Sequence, residues 1–86
     1  MDTLSTLTSP TYEGIEPMQT QGVIDRICGY GLFEVQTVRR ADGSRFIVFE
    51  DDGGKRYMID HPDEFSPAKR LSLLNRFLKH YGLSVH

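Results

Sequence analysis

The chain has 86 residues, a formal net charge of −2, an apolar fraction of 38% and a single cysteine. That length bounds it to one thin-cored domain that buries roughly 60% of its unfolded surface. No run approaches the ~20 apolar residues that span a bilayer, the opening MDTLSTLTSPTYEGIEP lacks the basic and apolar regions of a secretory signal, and Cys28 alone makes neither an internal disulfide nor a zinc quartet; the expectation is a cytoplasmic protein with no membrane association.

Residues 1–16 are rich in Ser and Thr, carry Pro10 and hold few large apolar groups. Such a stretch cannot bury enough surface to offset its ordering entropy, so it is expected to be a disordered tail. The folded domain is then 17–86. Residues 17–28 admit two readings. Val23 with Ile27 and Ile24 with Cys28 are i,i+4 pairs that share a helical face. Pro17 suits a first helical turn and Gly29 a C-cap. Gly22 weakens a helix by about 1 kcal/mol relative to Ala, and Val23, Asp25 and Ile27 alternate as a strand would. The short helix is favoured. Gly29-Tyr30-Gly31 then turns the chain into the first strand.

Phe33 to Ile59 carries three β-type runs separated by Asp42-Gly43 and Asp52-Gly53-Gly54. Asp-Gly between apolar runs is a strong hairpin signal. A three-residue loop, Ala41-Asp42-Gly43, places Gly43 in the left-handed position and pairs Arg40 with Ser44. It sets Val35 opposite Phe49 and Thr37 opposite Ile47. The same rule applied at Asp51-Asp52-Gly53 gathers Phe33, Val35, Ile47, Phe49, Tyr57 and Ile59 on one face. A one-residue slip would scatter this set. Val38, Phe46, Val48 and Met58 are left on the opposite face.

Ser66 is placed to cap a last helix and Pro67 fits its first turn. Leu71, Leu74, Leu78 and Tyr81 share a stripe flanked by Phe77, and Lys69, Arg76, Lys79 and His80 lie opposite. Gly82 ends the helix and Leu83 supplies the accompanying contact. Packing the stripe on the Phe49 face gives an α+β fold: a small three-stranded antiparallel sheet, a C-terminal helix on one face, and a short helix before the sheet.

No residue constellation names a reaction. His61, in Asp60-His61-Pro62-Asp63-Glu64, has no second His at helical spacing, so it reads as part of a polar loop. Asp51-Asp52-Gly53-Gly54 reads as a turn, because Lys55 and Arg56 stand where a calcium loop needs further ligands. Gly29-Tyr30-Gly31 lacks the length, Lys and Ser/Thr of a phosphate loop. The chain is therefore expected to be non-enzymatic, with no metal and no cofactor.

One short segment and the order of the elements resemble nucleic-acid-binding families. GVIDRICGYGLFEV, 22–35, is similar to the opening of an S1-type RNA-binding barrel, although that family's later strands and Gly-Leu-x-H segment do not follow. The order helix, three strands, helix is similar to the double-stranded-RNA-binding domain, which touches phosphates from its last helix. Pro67-Ala68-Lys69-Arg70 stands where that family carries a lysine cluster, and only two cations match. Charge is also unevenly placed. Residues 65–86 hold Lys69, Arg70, Arg76 and Lys79 with no acid, whereas 50–64 hold six carboxylates against Lys55 and Arg56.

The leading expectation is a small protein-binding module, of the kind used as a phage- or plasmid-type inhibitor or a regulatory adaptor. Its binding face would be Val38, Phe46, Val48 and Met58, covered by the tail, by a second copy in a homodimer, or by another protein. The alternative is nucleic-acid binding by Arg39, Arg40 and Arg45 of the first hairpin with Lys69, Arg76 and Lys79 of the last helix.

Overall fold

A computed structural model describes residues 17–83. The expected tail, 1–16, and His86 lie outside the described residues. Helix α1 spans Thr20–Cys28, strands β1, β2 and β3 span Phe33–Arg39, Arg45–Glu50 and Arg56–Asp60, and helix α2 spans Pro67–His80. A single 3-10 turn, Pro62–Glu64, joins β3 to α2. The strands form one antiparallel sheet in the order β1-β2-β3. The α+β architecture expected from the sequence is the one observed.

The helical reading of the first segment holds. Val23, Ile24 and Ile27 are the buried positions of α1, so its i,i+4 pattern outweighs the cost of Gly22 and a strand-like alternation. The barrel opening suggested by 22–35 is thereby absent, since its first half is helix. Gly29 occupies the C-cap but in right-handed conformation, and Gly31 instead takes the left-handed one, at φ 88°. Ser66 sits at the N-cap of α2 without a side-chain cap bond. At the other end the Leu83 N–H donates to the Leu78 carbonyl at 2.8 Å, across a left-handed Gly82. This is the glycine-terminated cap read from the sequence.

The core joins both helices to one sheet face. Val23, Ile27, Leu73, Leu74 and Phe77 pack with Ile47, Phe49, Tyr57 and Ile59. The stripe of α2 is rotated from the expected one: Leu73, Leu74 and Phe77 are buried, while Leu71, Leu78 and Tyr81 are only partly covered. A helix pressed between a sheet and a second helix needs a wider apolar arc than a single i,i+4 row. Here Leu73 supplies the extra width.

Both hairpins use three-residue loops. In the first, Arg40 N–H donates to Ser44 O at 2.7 Å and Gly43 adopts φ 92°. The second loop is Asp52-Gly53-Gly54, one residue later than expected, with Gly54 at φ 86° and Asp51 N–H donating to Lys55 O at 3.1 Å. Asp51 explains the shift. Its carboxylate accepts from the N–H groups of Gly53 and Lys55 at 2.9 and 3.0 Å, and from the Tyr57 hydroxyl at 3.0 Å. It therefore serves as the last paired residue and organises the loop that follows, which leaves Ile47, Phe49, Tyr57 and Ile59 on their expected face.

The expected face fails at β1. Thr37 does lie opposite Ile47, but Glu34, not Val35, faces Phe49, and a bulge falls between Glu34 and Gln36. The extra residue reverses the alternation before it. Phe33 leaves the core face and pairs with Glu50, 58% exposed, and Val35 is 45% exposed. Leu32, only 3% exposed, takes the core position instead.

Candidate functional site

The register defines the outer face of the sheet, the one turned away from both helices. Val38 faces Phe46, and Val48 faces Gln36 on one side and Met58 on the other. The four residues singled out from the sequence therefore share one surface across three strands. The bulge adds Phe33, which the sequence pattern assigned to the core. Val48 lies on the central strand and is 4% exposed, yet it takes no part in the helix-side core. Met58 is 53% exposed, and Val38 and Phe46 are half-buried.

Ion pairs bound this apolar strip. Toward the first loop, Arg40 Nη2 lies 2.9 Å from Asp60 Oδ1, and its guanidinium carbon sits 4.7 Å from the centre of the Phe46 ring. Toward the second loop, Arg56 Nε lies 2.9 Å from Glu50 Oε2.

The cations of the alternative set differ in their partners. Arg40 is held by Asp60, and Arg45 lies 3.2 Å from Glu64 and 3.8 Å from Asp63. Arg39 donates to the carbonyl of Gly43 at 3.0 Å, inside its own hairpin. Lys69, Arg76 and Lys79 are exposed on α2. Arg76 and Lys79, with His80, line a groove between α2 and β3. The first-hairpin arginines are thus committed to internal partners, and among the described residues those two cations of α2 have no carboxylate within ion-pair distance.

Arg70 was read as one of two cations matching a lysine cluster. Its side chain is only 12% exposed. Its Nε donates to the Pro62 carbonyl at 2.9 Å and its Nη1 to the Met18 carbonyl at 3.1 Å. It clamps the 3-10 turn and the chain before α1 onto α2. In the sequence Arg70 precedes Leu74 by four positions, which places it partly toward the apolar side of the helix and is the signal for this role.

His61 caps the 3-10 turn, its Nδ1 accepting from the Asp63 N–H at 3.2 Å. Asp63 accepts from the Thr20 hydroxyl, and this hydrogen bond is the main cause holding its carboxyl below the usual range, aided by His61, Arg45 and Arg70. Among the described residues no group of three or more His, Cys, Asp or Glu side chains converges as a metal site, and no helix is long and apolar enough to cross a membrane. No protein-family model, curated protein or solved structure gives a significant match to the chain.

Proposed function

We propose that the protein is a non-enzymatic protein-binding module that docks a partner protein on the outer face of its sheet. The observation that carries this reading is the bulge in β1. By turning Phe33 outward, opposite Glu50, it adds a fifth apolar side chain to Val38, Phe46, Val48 and Met58, which already span all three strands. Both described helices pack on the other side, leaving the strip without a helical cover. Burying a fully exposed large apolar side chain contributes ~1.5–3 kcal/mol, so Phe33 and Met58 are the two anchors with most surface left to bury. The small size and the lack of a chemical constellation suit an inhibitor or a regulatory adaptor. A second copy of the chain and a different protein are both partners that such a face serves.

The test compares the wild-type protein with Phe33→Asp/Met58→Asp. Both positions are more than half exposed, so the melting temperature should stay close to wild type. Light scattering across a concentration series reports a homodimer, and affinity capture with each protein as bait reports another partner. The expected result is self-association, or a captured protein, that the double variant loses. A wild-type monomer whose captured proteins are the same as the variant's defeats the reading.

A further inference from the structure

We infer that the groove between β3 and the C-terminal half of α2 is a second binding surface, which takes an acidic, partly apolar segment of a partner protein. The groove has a volume of about 630 Å³. Met58, Ile59, Leu73 and Phe77 give it apolar lining, and Arg76, Lys79 and His80 of α2 line it with positive or titratable groups. Phe77 and Leu73 are almost fully buried, whereas the basic side chains are exposed. A ligand in this groove meets apolar surface and positive charge on one wall.

Charge pairing decides the chemistry of that ligand. Arg40, Arg45, Arg56 and Arg70 each have an acidic partner within 4 Å. Arg76 and Lys79 have none among the described residues. They are three positions apart, so both reach the same side of the helix. The last turn's carbonyls favour Lys79 and His80, but Arg76 lies a full turn earlier. The opposite wall carries Asp60, already paired with Arg40. A carboxylate-bearing segment is thus drawn to α2 and kept off β3, which fixes its orientation. The apolar lining favours a peptide over a nucleic acid, and two cations neutralise few phosphates. This surface is distinct from the outer sheet face, with Met58 and Asp60 of β3 bordering both.

Fluorescence anisotropy at low salt supplies the test. The probe is a short fluorescein-labelled peptide alternating Glu with Phe and Leu. Its counterpart with Lys in place of Glu, a single-stranded RNA and a duplex DNA serve as comparisons. Wild-type protein should bind the acidic peptide and not the basic one. Arg76→Glu/Lys79→Glu should weaken that binding about tenfold or more, with the melting temperature lowered by a few degrees at most, because both side chains are exposed and only Lys79 lies in the last helical turn. Phe33→Asp should leave it unchanged, which separates this groove from the outer face. Absence of binding by the acidic peptide overturns the inference, as does binding that survives the double reversal. Tighter binding of RNA or DNA through Arg76 and Lys79 replaces it with a nucleic-acid site.

Discussion

Replacing Arg70 by Met isolates the clamp between the two ends of the domain. The methionine keeps most of the aliphatic stem and its packing, and removes only the guanidinium. Two hydrogen bonds are lost, to the carbonyls of Pro62 and Met18 at 2.9 and 3.1 Å. Bonds from a charged donor contribute about 1.5–3 kcal/mol each. Water reaches part of the vacated site, so the lower end applies and the sum is about 3 kcal/mol. A chain of this size has a total stability of roughly 4–13 kcal/mol. Urea denaturation followed by far-ultraviolet circular dichroism measures the loss. With a slope of about 1–3 kcal/mol per molar urea, the midpoint should fall by about 1–3 M. Arg70→Lys should recover less than half, because an ammonium cannot reproduce the fork. Lys69→Met, the exposed neighbour, should stay within about 0.5 kcal/mol of wild type. Equal midpoints for Arg70→Met and Lys69→Met would refute the clamp.

Asp51 should make stability depend on acidity. The Lys55 N–H is the main cause lowering its carboxyl below the ordinary 3.8, with the Tyr57 hydroxyl and the Gly53 N–H assisting. A depressed folded value means that the contribution is complete above 3.8 and is lost as pH falls through the lower, folded-state value. Asp51→Asn should therefore lower the melting temperature at neutral pH and flatten its decline in acid; a parallel decline in both proteins counts against the assignment. Gly54→Ala tests the second loop: at φ 86° a Cβ costs about 1–2 kcal/mol. Gly53→Ala should cost less, since Gly53 does not have a positive φ, and thermal unfolding of the pair distinguishes the observed loop from one ending at Gly53.

The legible parts of the fold were those written in local chemistry. Asp42-Gly43 carries its own turn geometry, and Pro67 and Gly82 mark the two ends of a helix, although its apolar spacing does not reveal that Leu73 rather than Leu71 or Leu78 is buried. Tyr57 and Ile59 could be placed because their face survives a shift of the second loop by one residue. Phe33 and Val35 could not be. Their alternation with Glu34 is what a regular strand shows, and the bulge that breaks it follows from a competition outside the strand. Leu32 leaves the Gly31 turn directly above the core and claims the position that Phe33 would have filled. The outer face was thus recognised from Val38, Phe46, Val48 and Met58 without one of its largest members. Among the cations, charge alone could not tell Arg40 and Arg45, which carboxylates hold, from Arg76 and Lys79, which line a groove. That distinction depends on Asp60 and Glu64, residues far along the chain.

A sheet of three strands has two outer edges, and each is a template on which further strands can stack into fibrils. The bulge at Val35 interrupts one of them. At the other, the Tyr81 hydroxyl lies 3.0 Å from the Met58 nitrogen and 3.4 Å from its carbonyl oxygen. It occupies the outward donor and acceptor at the middle of β3, where an incoming strand would pair. Tyr81 also stacks edge-on against Tyr57, with ring centres 4.9 Å apart, so its position is fixed from the core outward. The residue that closes the last helix thus covers the part of the β3 edge at which an incoming strand would pair edge-to-edge.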